Sequence, residues 1–271
     1  MKKHLSSIIL VSVFLVGLCI LLYPAISDYV NSKNQSRAIA NYDSTLANYT
    51  PEDYSVFFEE AEDYNARLLE DPINFYAPEK VEGYWETLDI TGTGIMGYID
   101  IDKIKVELPI YHGTSEQVLN VAVGHLEGSS LPTGGKGNHI VMSAHRGLPS
   151  ATLFTDLDEL DIGDTFTITI LDRLLTYEVD QILIVVPTDV EALLPTPGRD
   201  YCTLVTCTPY GINTHRLLVR GKRIENIQEK PVIFVPADMM QIDPIIVTPI
   251  IAAPILFILL IILLIKYRRK K

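Results

Sequence analysis

Two residues near the end of the chain, a cysteine and an arginine, have the types and the spacing of a covalent acyl-transfer site. Cys207 ends an alternating run of β-branched and apolar residues that begins at Tyr201, and turn residues follow at positions 208–211. Arg216 opens the next strand pattern nine residues later, enough chain to reverse direction and bring the two residues together on neighbouring strands. A guanidinium there can stabilise a thiolate and donate to the oxyanion that forms when the thiolate attacks a carbonyl.

A cysteine nucleophile usually needs a histidine, and His145 is the main candidate. Residues 138–145 have the pattern of a buried strand that a turn at residues 146–149 ends, so this histidine lies at a strand-to-loop junction, as the cysteine does. His139 shares its strand parity and is the rival base, but its position inside the strand favours a structural role. His125 follows a glycine near a short helix, and we interpret it as a loop-ordering residue.

Each of these residues also has a purely structural interpretation. A single cysteine in a strand is most often a small buried hydrophobe, and Arg216 alone could be a charge that discourages edge pairing, as we interpret Arg220. Cys202 keeps the structural interpretation, because it lies five residues before Cys207 and faces the other side of the strand. Two cysteines that far apart on one extended strand cannot form a disulfide. Cys19 lies in an apolar run and is predicted to be inert.

Neither a metal nor a cofactor is predicted. The six histidines show no His-x-x-x-His spacing, and no Cys-x-x-Cys pair is present. Acyl transfer through a thioester needs no nucleotide or flavin, because the thioester retains the energy of the bond that the thiolate breaks.

Three phrases give the segment from about residue 83 to residue 223 a family resemblance. They are Gly124-His-Leu-Glu-Gly-Ser-Ser, Ser143-Ala-His-Arg-Gly and Thr206-Cys-Thr-Pro-Tyr-Gly-Ile-Asn-Thr-His-Arg-Leu-Leu-Val-Arg-Gly. Together they resemble the class C, pilin-polymerising sortases of Gram-positive bacteria. The resemblance implies a catalytic triad whose roles fall on His145, Cys207 and Arg216. It also implies cleavage of a Leu-Pro-x-Thr-Gly-like sorting signal between Thr and Gly, a thioester on the cysteine, and transfer to a lysine amine of another pilin subunit.

The same resemblance implies a lid within residues 69–78. Class C sortases carry an Asp-Pro-aromatic loop there, in which the acid faces the active-site arginine and the aromatic ring covers the cysteine. This chain has Asp71 and Pro72, then departs with Ile73, and its Phe75 comes two residues later. We expect the acid to pair with the triad arginine, and either the phenylalanine or the isoleucine to shield the cysteine. The alternative is an ordinary linker bounded by prolines.

The elements that must position these residues are short strands. Alternating or apolar runs occupy residues 97–101, 106–111, 139–144, 165–170, 176–186, 202–206 and 216–220. Regular short strands with turn signals are typical of a sandwich or a barrel, and the sortase resemblance selects an eight-stranded β-barrel. The predicted fold class is therefore mainly β, with N-terminal helices and a lid loop, flanked by two transmembrane helices.

Residues 28–70 have a helical pattern instead. Thr50 is a predicted helix cap, with Pro51 in the first turn and the acid Asp53 three residues after the cap. Apolar side chains then recur at three- and four-residue spacing and form one stripe, made of Tyr54, Phe57, Phe58, Ala61, Tyr64 and Leu68. We expect this stripe to dock on the catalytic domain.

Two apolar runs, residues 5–23 and 245–265, are each about the length of one bilayer crossing, roughly 20 residues. Lys2 and Lys3 precede the first run, and a basic tail at residues 266–271 follows the second. Positive flanks stay in the cytoplasm, so we predict a two-pass membrane protein with both termini cytoplasmic and the catalytic domain outside the cell. A cleaved signal peptide is the alternative for the first run.

The chain thus divides into an N-terminal membrane anchor or signal (1–23), a helical stalk with the lid (24–80), a catalytic barrel (81–225), a linker (226–244), a transmembrane helix (245–265) and a cytoplasmic tail (266–271). All 34 acidic residues lie between the two apolar runs, and the formal net charge is −12. This charge makes nucleic acid an unsuitable partner. The expected partners are pilin or surface proteins with the sorting signal, an acceptor lysine and the membrane.

Three other functions stay open. A sortase of another class would use the same triad to anchor proteins to cell-wall peptide, a cysteine protease would release its acyl group to water, and a membrane-anchored binding protein would have an inactive site. The second apolar run, the Asp71-Pro72 segment and the turn at residues 208–211 favour a pilin-polymerising sortase over a sortase of another class. Nothing in the chain resembles the papain-type cysteine signature.

Overall fold

A computed structural model describes residues 2–226 and the two helical positions Phe257 and Ile261. The chain forms two compact units. The described part of the first comprises residues 2–32 and 149–151 with those two positions, and that of the second comprises residues 33–148 and 152–226.

The first unit is built on the N-terminal helix. Helix α1 runs over Lys2–Leu46, with Pro24 inside it, and its last turns belong to the second unit. From Leu10 onward it contains an 18-residue window of mean hydropathy 2.4, so by length and composition it is able to cross a membrane. The predicted second span, residues 245–265, falls outside the described residues apart from two positions. The two-pass topology therefore stays a prediction.

Helix α2, Pro51–Leu69, begins at the predicted cap. The Thr50 hydroxyl accepts from the Asp53 N–H, and the Asp53 carboxylate accepts from the Thr50 N–H at 2.8 Å, which completes a capping box. The apolar stripe is buried at Phe58, Ala61, Tyr64 and Leu68. Asn65 is buried beside it and bonds to Leu131 twice, through its Nδ2 to the carbonyl at 3.0 Å and through its Oδ1 to the N–H at 2.7 Å. The stripe and this amide dock α2 on the strand domain.

The rest of the second unit is a closed barrel of eight strands in the order β1-β2-β3-β4-β7-β8-β6-β5. The strands are β1 Ile95–Ile101, β2 Val106–His112, β3 Val123–His125, β4 His139–Ser143, β5 Thr165–Ile170, β6 Arg173–Val185, β7 Tyr201–Thr208 and β8 His215–Ile224, with a short helix α3, Glu116–Leu119, before β3. The pairs β2–β3 and β4–β7 are parallel, and the others are antiparallel. The predicted barrel is confirmed. Strand β3 had no signal of its own, since three residues with a central glycine are too few to alternate.

Side-chain parity along β7 and β8 separates the barrel interior from an outer face. The interior takes the buried residues Cys202, Leu204 and Thr206 of β7, with Leu217 and Val219 of β8. The outer face takes the alternate positions, which are Thr203, Val205 and Cys207 of β7 and Arg216, Leu218 and Arg220 of β8. The cysteine and the arginine singled out by the sequence are therefore on the outer face.

Candidate active site

Cys207 and Arg216 lie directly opposite each other on the antiparallel strands β7 and β8. Residues in this relation project from the same face, with Cβ atoms about 4.5–5.5 Å apart. Both side chains are half-buried. The Nη1 of Arg216 donates to the carbonyl oxygens of Asn213 at 3.3 Å and His215 at 3.1 Å, which holds the guanidinium at the start of β8. The structure thus brings together the two residues that the spacing placed side by side.

His145 reaches the same end of the barrel through the parallel pairing of β4 with β7. Ser143 pairs with Val205 in this register, and the Thr206 hydroxyl donates to the Ala144 carbonyl at 2.8 Å one residue later. The histidine lies two residues beyond Ser143, and Cys207 lies two residues beyond Val205. Both are half-buried. The end of β4, the end of β7 and the start of β8 therefore present a histidine, a thiol and a guanidinium at one end of the barrel. We call this end of the barrel the mouth.

The rival base, His139, is buried, and both of its ring nitrogens have hydrogen-bond partners. It is 1 % exposed, its Nδ1 lies 3.0 Å from the Leu194 carbonyl, and its Nε2 lies 2.7 Å from the Thr203 hydroxyl. Burial lowers its pKa to about 4, so it is neutral at physiological pH. It has the predicted structural role, although it is the first residue of β4 and does not lie inside the strand.

His125 orders the loop that follows β3. Its Nδ1 lies 2.9 Å from the Tyr84 hydroxyl, and its Nε2 lies 2.8 Å from the Ser130 carbonyl. Burial lowers its pKa to about 4 as well. The same tyrosine hydroxyl accepts from the N–H of Gly113 at 2.9 Å. This histidine therefore joins three loop segments and is not available as a base.

Apolar side chains continue the outer face away from the triad, and we call them the outer-face cluster. Its buried members are Val141, Leu193 and Leu218, and its partly buried members are Phe75, Leu126, Leu183, Val185, Val190, Ala192 and Val205. Val205 lies two residues from Cys207, and Leu218 lies two residues from Arg216, on the same face. The cluster therefore begins next to the mouth.

The predicted lid segment supplies one ring to this cluster. Residues Pro72–Phe75 form a 3₁₀ turn, and the Asp71 carboxylate caps it by accepting from the Ile73 N–H at 2.9 Å. Phe75 packs against the outer-face cluster, whereas Ile73 is 46 % exposed. Of the two apolar residues that the sequence left open, the phenylalanine is the one that packs on the outer face. Shielding of the cysteine itself stays a prediction.

The expected pairing of Asp71 with Arg216 does not form within residues 2–226. The aspartate is used locally as the turn cap, and the guanidinium donates to carbonyls of its own turn. The lid segment is instead in close backbone contact with Gly128, at Phe75. The φ of this glycine is +92°, and a Cβ there would lie 2.6 Å from the Phe75 carbonyl oxygen. Close backbone approach at a left-handed residue explains why this position of the Gly124–Ser130 phrase is a glycine, a reason that the sequence alone did not show.

Comparison with known proteins gives this arrangement a family. A Sortase domain model matches residues 99–224. The chain is 48 % identical to the crystallised sortase C1 of Streptococcus agalactiae, with a TM-score of 0.64, over 70 % of this chain and 99 % of that one. The chain belongs to the sortase family. Sortase C of Streptococcus pneumoniae is also similar to this sortase, at 42 % identity and a TM-score of 0.60, over 70 % and 97 % of the two chains.

A similarity to a more distant sortase covers a smaller share of both chains. This sortase is 32 % identical to sortase D of Bacillus subtilis over 131 residues, which are 47 % of this chain and 63 % of that relative. The similarity to the class C structures reaches beyond the domain model, because 70 % of the chain is more than the barrel alone.

Some residues of the site had no separate signal in the sequence. Arg146 was part of the Ser143-Ala-His-Arg-Gly phrase but had no assigned role, although its guanidinium lies between the histidine loop and the cysteine loop. Val190, Ala192 and Leu193 come from the connection between β6 and β7, which has no regular alternation. Only the fold places these three residues on the face that carries Cys207 and Arg216.

Proposed function

We propose that this sortase is a class C cysteine transpeptidase that joins pilin subunits. The observation that carries the proposal is the Cys207–Arg216 cross-strand pair, which lies beside the strand end of His145 on an outer face lined with apolar side chains. The similar Streptococcus pneumoniae enzyme is described in terms of pilin substrate specificity, and another similar protein is sortase C1 of GBS Pilus Island 1. These relatives support the choice of class.

The first half-reaction is acylation. The Cys207 thiolate attacks the carbonyl carbon of the threonine in the sorting signal, and the Arg216 guanidinium donates to the resulting oxyanion. The bond to the glycine nitrogen then breaks. His145 donates a proton to that leaving amine. The products are a thioester on the cysteine and a free peptide that begins with glycine.

The second half-reaction transfers the acyl group. The side-chain amine of an acceptor lysine attacks the thioester carbonyl, and His145 takes the proton that the amine loses. The carbon–sulfur bond breaks, an isopeptide bond forms, and the thiolate is regenerated. Residues 208–214, which follow the cysteine and are exposed from Pro209 onward, line the acceptor side in this proposal.

The outer-face cluster is the proposed place for the apolar part of the signal. Leucine and proline side chains gain free energy by leaving water for an apolar surface, about 25 cal/mol per Å². Phe75 occupies that surface in the structure. The lid must therefore move before a signal binds, and the Pro72–Phe75 turn is the element that moves.

Attachment to the membrane is part of the same proposal. Helix α1 has the length and hydropathy for one crossing, and we propose that residues 245–265 provide the second. The basic flanks then place both termini in the cytoplasm and the barrel outside, where surface proteins with sorting signals are found.

Intact-mass spectrometry tests the function directly. The full chain in detergent would be incubated with a Leu-Pro-x-Thr-Gly peptide and a lysine-bearing acceptor, with Cys207→Ala as the inactive variant and Cys202→Ala as the matched control. We expect an acyl adduct on the wild type and on Cys202→Ala, followed by an isopeptide-linked product, and no adduct on Cys207→Ala.

Two other outcomes separate the alternatives. An adduct that resolves only into the free acid would favour a hydrolase over a transpeptidase. Absence of an adduct, also in a Phe75→Ala variant with the lid weakened, would contradict the proposed substrate class and favour a binding protein.

A further inference from the structure

Arg146, the residue after the proposed base, contacts the loops on both sides of the mouth. Its Nη2 forms an ion pair with the carboxylate of Asp158, which lies in the 3₁₀ turn Leu157–Glu159. Its Nη1 lies 3.5 Å from the Thr208 hydroxyl, and its guanidinium carbon lies 5.9 Å from the centroid of the Tyr210 ring. One planar side chain thus joins the histidine loop to the residues that directly follow the cysteine.

The burial of this arginine sets it apart from the surface cations. Its side chain is only 9 % exposed, whereas that of Arg173, which pairs with Glu62, is 41 % exposed. Its Nε is buried and has no hydrogen-bond partner among the described residues. A buried guanidinium with one donor unused and one carboxylate as counter-ion costs free energy compared with an apolar side chain of the same size. Folding stability alone therefore does not explain why an arginine is here.

The backbone around Arg146 is held as firmly as its side chain. The His145 carbonyl accepts from the Phe154 N–H at 3.1 Å, and the Gly147 N–H donates to the Thr155 hydroxyl at 3.1 Å. Gly147 has a φ of +75°, and a Cβ there would lie 2.9 Å from the Tyr210 ring. The ring therefore packs directly on the turn that carries the histidine.

We propose that Arg146 is a positioning residue that sets the distance between the imidazole of His145 and the thiol of Cys207. The inference rests on the function proposed above. The fork of the guanidinium is what the role requires, because one arm is held by Asp158 while the other arm and the flat face hold Thr208 and Tyr210. Lysine keeps the charge but has one point of contact, so it cannot hold both loops.

The test compares Arg146→Lys with Arg173→Lys. Arg173 is a matched control, since it also forms an ion pair and its guanidinium carbon lies 3.5 Å from the centroid of the Phe58 ring. It lies at the start of β6, whereas the end of β6 pairs with Arg216. Full-length variants would be assayed for thioester formation from the sorting peptide, for the rate of Cys207 alkylation by iodoacetamide, and for melting temperature. For Arg146→Lys we expect kcat of thioester formation to fall about 10- to 100-fold, in line with the effect of roughly 1 Å of misplacement.

The expected pattern is specific to positioning. KM for the peptide stays within about twofold, because the outer-face cluster is untouched, alkylation slows together with kcat, and Arg173→Lys changes neither. Unchanged kcat and alkylation in Arg146→Lys would overturn the inference, as would a loss of activity that only follows a lower melting temperature. If the wild type forms no thioester, the proposed function fails, and the ratio of alkylation rates still decides the role of Arg146.

Discussion

The two cysteines of β7 have the same side chain on the same strand, five residues apart, and opposite environments. Cys202 is fully buried inside the barrel, and burial raises the pKa of its thiol well above the usual value, so the thiolate is disfavoured there. Cys207 is half-buried on the outer face opposite Arg216. Strand parity, and not residue type, therefore separates a packing residue from the proposed nucleophile.

The two histidines of the β4 segment differ in their position along the strand and not in parity. His139 and His145 share parity, but His139 lies at the start of the strand and has both ring nitrogens bonded. His145 lies just beyond the strand, where β4 ends beside the end of β7. A reactive group thus needs the outer parity and a position at the end of the barrel where β4 and β7 end and β8 begins.

The largest effect is expected from exchanging the two cysteines for alanine one at a time. Cys207→Ala removes the nucleophile, so thioester formation falls below detection while stability changes little. Cys202→Ala leaves a small cavity in the barrel and lowers the free energy of unfolding by about 1–2 kcal/mol, with activity retained. Mass spectrometry and urea unfolding measure the two quantities. Loss of activity in Cys202→Ala without loss of stability would contradict the parity rule.

The arginines of β8 provide the next test. Arg216→Lys keeps a positive charge but loses the geometry of the fork, and we expect kcat of thioester formation to fall about 10²- to 10³-fold, as for the loss of one oxyanion donor. Arg220 is the control on the same face, where it binds both oxygens of Asp180 at 2.9 and 3.0 Å and stacks on the Tyr201 ring at 4.1 Å. Arg220→Lys is expected to keep kcat within a few-fold. Equal losses in both variants would show that distance from the strand end does not matter.

The buried histidines should make the barrel sensitive to acid. The pKa values of His125 and His139 are lowered from 6.5 to about 4, so between these values the unfolded chain binds protons that the folded chain does not. Their contribution to stability is complete above pH 6.5 and is lost as pH falls towards 4, on the order of 3 kcal/mol for each residue.

Glutamine at either position removes that titration. In His125→Gln and His139→Gln we expect the free energy of unfolding to depend less steeply on pH between 6.5 and 4, whatever the stability at pH 7. Urea titrations at several pH values measure the slope for each variant and for the wild type. Slopes equal to that of the wild type in both variants would show that the two imidazoles do not stay neutral in the folded state.

Local patterns predicted the parts of this structure that depend on neighbours in sequence. The capping box at Thr50, the α2 stripe and the Cys207–Arg216 pairing all follow from short periodicities and a spacing that a hairpin dictates. Strand β3 lacked any such pattern, and the sortase resemblance alone implied the eighth strand. The contacts of Gly128 with Phe75 and of Arg146 with Tyr210 join segments more than fifty residues apart. No spacing rule reaches that far, so only the closed barrel reveals them.

The smallest effect concerns access to Cys207, which sharpens its contrast with Cys202. If the Phe75 ring shields the mouth, Phe75→Ala should raise the rate of Cys207 alkylation several-fold, whereas Ile73→Ala should not, because its side chain is already 46 % exposed and lies outside the outer-face cluster. Cys202 should stay unreactive in both variants, since the barrel and not the lid protects it. Mass spectrometry after timed alkylation distinguishes the two thiols. An unchanged rate in Phe75→Ala would mean that residues 69–78 are a linker that only packs on the barrel, and that the strand end alone controls the reactivity of the nucleophile.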